Sequence, residues 1–353
     1  MNEASSSERL IESWRKFRAE NPTARIRNAA VALDVGEAQL LATQCGAEAT
    51  RLSVAMREGG WGAVLQRIPE LGRVMALTRN EHCVHERKGN YRDVGIFGTM
   101  GSVVGPDIDL RFFLNQWHLG FAVREETAHG TRESLQFFNL DGSAIHKIYL
   151  QEESDRTAFA TIVEEFKSGD QSPEQAVEAL DPKQPDRPDS EIDVPKFVEG
   201  WRGLQDTHEF FGLLKTHEVG RMQALRLAGE EFAKPLDPAA GETLLRAAAE
   251  QKLPIMVFVG NPGMIQIHTG AVERIAPHED WINVLDPDFN LHLRRPAIRH
   301  GWAVRKPTSK GHVTSVELYD AAGEMIVQFF GRRKPGQPEL EGWRNLVGEL
   351  PGR

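Results

Sequence analysis

In this 353-residue chain the clearest chemical opportunity is a histidine followed almost at once by two aromatic residues, with an arginine one short segment further on. The stretch is Asp206-Thr207-His208-Glu209-Phe210-Phe211, and the arginine is Arg221. A neutral imidazole offers a lone pair to a metal, aromatic rings offer a flat apolar wall, and a guanidinium pairs with a carboxylate. Together they suit a flat, apolar ligand that is anionic at one edge and carries a metal at its centre, and haem has that chemistry. A histidine that only caps a helix or sits on the surface would have the same surroundings, so the residues alone leave both readings open.

Other chemistry is sparse. His82 and His85 are three apart, which on a strand points them to opposite faces and makes a poor chelate. Gly98-Thr99-Met100-Gly101-Ser102 is glycine-rich but leads into a strand, so it reads as a loop and not as a phosphate cradle. The chain has no Walker A sequence, no GxSxG elbow, no HExxH pair and no GxGxxG dinucleotide fingerprint. Cys45 and Cys83 are its only cysteines, too few for a disulfide framework or a cysteine-based zinc site.

The elements that must position these residues come in two copies. Asn80 to Gly89 lies over Asn261 to Gly270, and the same displacement of 181 (80 to 261) carries Asp109-Leu110-Arg111 onto Asn290-Leu291-His292 and Gly142 onto Gly323. A period this long means two domains of one fold, not a solenoid. Each copy reads as helices, then short alternating strands with Gly and Asp-Gly turns, then a closing helix; this is an α+β pattern of two similar antiparallel sheets. Residues 168–197 hold five prolines, many acids and almost no large apolar groups, so they read as a linker between an N-terminal repeat at 1–167 and a C-terminal repeat at 198–353. Trp201 to Lys215 has the spacing of one helix.

A net charge of −9 argues against a nucleic-acid protein. Ile26 to Leu40 has a helix-turn-helix look, but its second segment carries no Arg or Lys, and a packed helical hairpin explains it better. The polar, acidic start and the lack of any long apolar run predict a cytoplasmic protein with neither signal peptide nor membrane span.

Several longer strings resemble the HemS/HmuS family of bacterial cytoplasmic haem-utilisation proteins. They are Thr78-Arg79-Asn80 with Val84-His85-Glu86, Asp109-Leu110-Arg111 through Leu114-Asn115-Gln116-Trp117, Gln136-Phe137-Phe138 and Asp206 to Phe211. Phe258-Val259-Gly260-Asn261, Asp280 to Val284 and Arg305-Lys306-Pro307-Thr308 complete the set. The resemblance covers essentially the whole chain. It implies two similar halves with one haem b in a cleft between them, His208 as axial ligand to the iron, and Arg111 on the opposite haem face. It further implies Arg221, Lys306 and Arg333 near the propionate edge or rim, and Phe113, Phe258, Gln328 and Phe330 as walls. Two positions depart from the family pattern: Met222 where relatives can carry Gln, and Phe330 where they can carry Tyr.

The implied function is to accept imported haem and deliver it to a haem oxygenase or another acceptor, with the cytoplasmic side of a haem importer as a further partner. The alternative is a haem-degrading enzyme that opens the porphyrin ring with an external reductant, in which Arg111 is the catalytic distal group. Haem-responsive DNA binding is a minor third reading.

Overall fold

Helical and strand periods change over where the sequence marks the change, and the computed structural model describes the result for residues 6–54, 60–127, 130–333 and 337–353. The first copy opens with α1 (Ser6–Glu20), α2 (Ile26–Leu33) and α3 (Glu37–Ala42), followed by β1 (Ala49–Leu52) and α4 (Trp61–Arg67). Strands β2 (Arg73–Arg79), β3 (Cys83–Asn90), β4 (Gly95–Phe97), β5 (Met100–Val104) and β6 (Asp109–Phe113) come next. The long strands β7 (Leu119–Thr127), β8 (Gly130–Phe138) and β9 (Ala144–Leu150) lead to the closing helix α5 (Arg156–Phe166).

The second copy repeats this order. Its helices are α6 (Val194–Arg202), α7 (Glu209–His217) and α8 (Arg221–Leu227), then β10 (Ala233–Leu236) and α9 (Ala240–Glu250). Its strands are β11 (Ile255–Asn261), β12 (Met264–Gly270), β13 (Ile275–His278), β14 (Trp281–Leu285), β15 (Phe289–Arg294), β16 (His300–Thr308), β17 (Gly311–Tyr319) and β18 (Met325–Gly331), and α10 (Glu341–Gly348) closes it.

The fold is α+β, as expected. The strands form two nine-stranded sheets whose orders correspond element by element, β1-β7-β8-β9-β2-β3-β15-β14-β13 and β10-β16-β17-β18-β11-β12-β6-β5-β4. All strand pairs with a defined register are antiparallel, for example Leu119↔Phe138 in one copy and His300↔Tyr319 in the other. The chain divides into two compact units: Met1–Arg79, Glu86–Asp181 and Asn261–Gln266 form unit 1, and Asn80–His85, Pro182–Gly260 and Ile267–Arg353 form unit 2.

The duplication is exact in the long strands and shifted in the helices. β7, β8 and β9 have the same lengths as β16, β17 and β18 and begin 181 positions earlier, at 119, 130 and 144 against 300, 311 and 325. α3 and β1 instead precede α8 and β10 by 184 positions, from 37 to 221 and from 49 to 233. Hairpin register tolerates no slip, because one residue would turn every side chain to the other face, whereas loops absorb insertions. The β8–β9 and β17–β18 turns are fixed in kind by Gly142 and Gly323, each at φ 77, a left-handed conformation that costs glycine little.

The expected single helix from Trp201 to Lys215 is two helices. α6 ends at Arg202, and Gly203 and Asp206 supply turn chemistry before α7 starts at Glu209. The Asp206 carboxylate accepts the His208 backbone N–H at 2.8 Å, while the Glu209 carboxylate reaches back to the N–H groups of Gln205 (2.8 Å) and Asp206 (3.2 Å). The first bond serves the cap residue's N–H at the helix start, and the other two tie the preceding turn to the first residue of α7. The Pro-rich segment between the copies has little apolar surface to bury and forms no regular element beyond one turn at Asp189–Glu191. It is tied down nonetheless: Arg51 pairs with Asp170 at 3.0 Å in unit 1, and Arg187 pairs with Glu218 at 2.7 Å and Arg226 with Asp189 at 2.9 Å in unit 2.

In unit 2 the β11–β18–β17–β16 sheet is covered on both faces. Val257, Val316, Leu318, Val327 and Phe329 pack under α9 and α10 with Leu244, Leu245 and Trp343, and Val304 and Tyr319 on the opposite face join Phe197, Trp201, Phe210 and Leu225 from α6 to α8. In unit 1, α3 buries Glu37, Ala38, Leu40, Leu41 and Ala42, so the helix-turn-helix-like segment packs as a helical hairpin.

Candidate functional site

Strand register collects the candidate residues of unit 2 on one face. Antiparallel partners point the same way, and the pairs Trp302↔Glu317, Glu317↔Gln328, Gln328↔Phe258 and Phe330↔Met256 define a row across four strands. Lys306, four residues beyond Trp302 on β16, falls on that face too. So do Ser315 and Tyr319, two residues to either side of Glu317. The helical layer supplies Arg221 from the first position of α8 and Phe210 from the first turn of α7.

At the centre is a carboxylate that sequence reasoning missed. Glu317 is fully buried. Its Oε1 accepts from Arg221 Nη2 at 2.7 Å, Ser315 Oγ at 2.8 Å, Gln328 Nε2 at 3.0 Å and Lys306 Nζ at 3.4 Å. Its Oε2 accepts from Tyr319 OH at 2.5 Å and Arg221 Nε at 3.0 Å. Lys306 and Arg221 also face the Phe210 ring, at 4.6 and 5.3 Å from its centroid. The signal lay in Ser315-Val-Glu317-Leu-Tyr319, whose alternation places a carboxylate and two hydroxyls on one face of a buried strand. An acid in such a row requires cations beside it.

The electrostatics follow from burial against pairing. Burial acts to raise the Glu317 pKa, but Arg221 and Lys306 outweigh it and hold the carboxyl well below its usual range. For Lys306 burial wins over the attraction of Glu317, and its pKa is pushed down to about 8. Arg221 is shifted upward, since Glu317 and Tyr319 more than offset the burial that disfavours its charge. With one carboxylate and two cations, the cluster keeps one net positive charge while Lys306 is protonated.

His208 sits just before α7 with its side chain 92% exposed. Its Nδ1 lies 2.5 Å from the Asp206 carboxylate, whose pKa is lowered by hydrogen bonds from the His208 backbone N–H and ring. An ionised carboxylate can only accept, so Nδ1 carries the hydrogen, and Nε2 is the ring nitrogen through which a neutral imidazole would offer its lone pair. Of the two aromatics that follow, Phe210 turns into the core, whereas Phe211 is 75% exposed. Arg333 reaches Thr207, beside His208, at 3.4 Å. The two departures from the family pattern are both apolar: Met222 packs with the α6–α8 core, and the half-buried Phe330 lies against Phe258 with ring centroids 4.9 Å apart.

Arg221, Lys306 and Gln328 thus converge on one carboxylate, the Phe258 and Phe330 rings lie against each other, and Arg333 adjoins the His208 loop. Arg111 and Phe113 belong to unit 1, on β6. Arg111 is paired with Asp109 and half exposed, and it shares its strand face with Phe113 and, through register, with Met100 and Ser102. The exposed Phe97 extends that face.

Unit 1 carries the duplicate of the buried cluster with its charges redistributed. Glu37 opens α3 as Arg221 opens α8, Lys147 stands on β9 where Gln328 stands on β18, and Gln136 on β8 matches Glu317 on β17. Lys147 and Glu37 form a buried ion pair. Burial alone would lower the Lys147 pKa, but Glu37 leads the opposing effects that raise it. Lys147 is therefore neutralised by Glu37, with Glu125, which stands on β7 where Lys306 stands on β16, adding to the attraction, and unit 2 alone of the two clusters keeps an excess cation.

These residues fit haem: a histidine with a free Nε2, an exposed aromatic beside it, apolar walls, and cations for carboxylates. Among the described residues no group of three or more His, Cys, Asp or Glu could hold a bare metal ion, and no helix is long and apolar enough to cross a membrane.

Comparison with known proteins points the same way. A family model described as the haemin-degrading HemS.ChuX domain matches twice, at residues 34–166 and 218–350. The chain is 38% identical over 348 residues to the hemin transport protein HemS of Yersinia enterocolitica, with 98% of each covered. It is 48% identical to holo-PhuS, a heme-binding protein from Pseudomonas aeruginosa, with 99% of this chain and 100% of that one covered and a TM-score of 0.95. The heme degrading enzyme ChuS of Escherichia coli O157:H7 is 34% identical, with 98% of this chain and 100% of that one covered and a TM-score of 0.89.

Proposed function

The chain belongs to the HemS family, and from that premise we propose that it binds haem as cargo and passes it on within the cytoplasm. The observation that carries this reading is the His208 loop. Asp206 holds Nδ1 and leaves Nε2 for an axial bond, and Phe211 stands exposed three residues later, ready to lie against a macrocycle. Arg221 and Lys306 supply the excess positive charge that a propionate edge requires, with Gln328 beside them and Arg333 adjoining the His208 loop; Phe258 and Phe330 supply apolar wall. In unit 1, Arg111 is assigned to a distal hydrogen-bonding role and Phe113 to a wall.

Delivery is favoured over ring opening because opening consumes reducing equivalents and the chain has no dinucleotide fingerprint to bring them. Ring opening is the second reading, supported by the likeness to ChuS. Haem b is the ligand in both. A haem oxygenase or the inner face of a haem importer is the proposed exchange partner.

The test is His208→Ala. The ferric Soret band should shift and haem should leave faster, with residual binding from burial of the macrocycle. An unchanged spectrum and an unchanged off-rate would remove His208 as the ligand. Loss of the Soret band with bilin formation, in the presence of a reductase and catalase, would replace delivery with degradation.

A further inference from the structure

The two cations assigned to the ligand's carboxylate already hold one. Glu317 takes two hydrogen bonds from Arg221, at 2.7 and 3.0 Å, and one from Lys306 at 3.4 Å. It is also steadied from behind by Ser315, Gln328 and Tyr319, which belong to the same sheet face. Arg221 Nη1 makes no hydrogen bond among the described residues, so the guanidinium has a donor left to offer. An incoming carboxylate therefore meets cations that are shared and not free.

We propose that Glu317 is an internal counter-anion that competes with the carboxylate of the bound ligand for Arg221 and Lys306, and so sets how readily unit 2 releases its ligand. The inference rests on the haem reading. Its physical basis is that a charge-assisted bond to the ligand is weakened when the same cation has a second anion beside it, and that a cation left bare on departure is costly inside a protein. When the ligand leaves, Arg221 and Lys306 fall back on Glu317, and no buried positive charge is stranded. The duplicate in unit 1 supports this assignment by contrast: there Glu37 cancels Lys147 one for one and leaves no excess cation for a ligand's acid.

The experiment follows transfer of haem from the loaded full-length protein to excess apomyoglobin. In parallel it follows haem dimethyl ester, which has no carboxylates. Glu317→Gln keeps the shape and removes the charge; haem release should slow by roughly tenfold, the effect of strengthening one charge-assisted bond, while ester release stays as in the wild type. Ser315→Ala, a mild change that folds even if Glu317→Gln does not, removes a donor from Oε1 and leaves Glu317 a stronger competitor. Haem release should then quicken by about threefold, with the ester again unaffected.

Haem release that is unchanged or faster in Glu317→Gln, or haem and ester slowing alike, overturns the proposal. So does Ser315→Ala with unaltered haem release. A wild-type protein that forms no Soret-active complex refutes the haem reading itself, whereas a normal complex indifferent to Glu317 refutes only this inference.

Discussion

Lys306 offers a prediction whose size can be worked out. Its ammonium is buried, close to one carboxylate that already pairs with Arg221, and its pKa is pushed from 10.5 down to about 8. A base that protonates less readily in the folded state than in the unfolded chain is a liability to folding at neutral pH. From 10.5 to about 8, at 1.36 kcal/mol for each pH unit, the cost is about 3 kcal/mol. The sign follows from proton counts: between pH 8 and 10.5 the unfolded chain holds a proton that the folded one has released, so stability from this group rises with pH across that window and is flat below it. Lys306→Met keeps the stem and deletes the charge. Urea unfolding should find it more stable than the wild type by up to about 3 kcal/mol at pH 7, with the gap closing by about pH 10.5. The same variant should release haem faster, because one of two cations is gone. A gap that does not change with pH, or a variant less stable than the wild type at pH 7, would refute the reasoning.

Asp206→Asn should leave the α7 start intact through the amide oxygen but no longer hold Nδ1 with a full charge; haem off-rate should rise by roughly tenfold with a small Soret shift, measured by stopped-flow transfer. In unit 1, Lys147→Met strands the buried Glu37 carboxylate and should destabilise by about 3–5 kcal/mol in urea unfolding, while the double variant with Glu37→Gln should recover most of that loss.

The charge redistribution between the units shows how duplicated scaffolds diverge. The sheet face is kept by register, and the helix that covers it contributes either an acid or a base at its first position. Glu37 and Arg221 make that choice, and each draws a partner of opposite charge from a different strand of the face, Lys147 on β9 for Glu37 and Glu317 on β17 for Arg221. A position can thus hold a charge in both copies while only one retains a cation in excess.

Much of this was legible in the residues. Period-two alternation and glycine-bearing turns place β7 to β9 and β16 to β18, because a half-buried strand must alternate and these hairpins turn through glycine. The 181-residue displacement, from 119 to 300, survives in these strands because register cannot drift. His208 was visible through its neighbours, and Arg221, Lys306 and Gln328 through the family resemblance. What no local pattern contains is the convergence. Arg221 lies 96 positions from Glu317 and Lys306 lies 11 away; hairpin register brings Lys306 to the carboxylate, and only the stacking of α8 on the β16–β17–β18 face adds Arg221. The break between α6 and α7 was hidden for the same kind of reason: Asp206 and Glu209 have acceptable helical spacing, and it is their side-chain bonds to the backbone that stop the helix and set His208 at its start. Local sequence fixes period and turn, since those depend on neighbouring atoms. Which charges share a buried site depends on residues distant in the chain, and only the folded packing decides it.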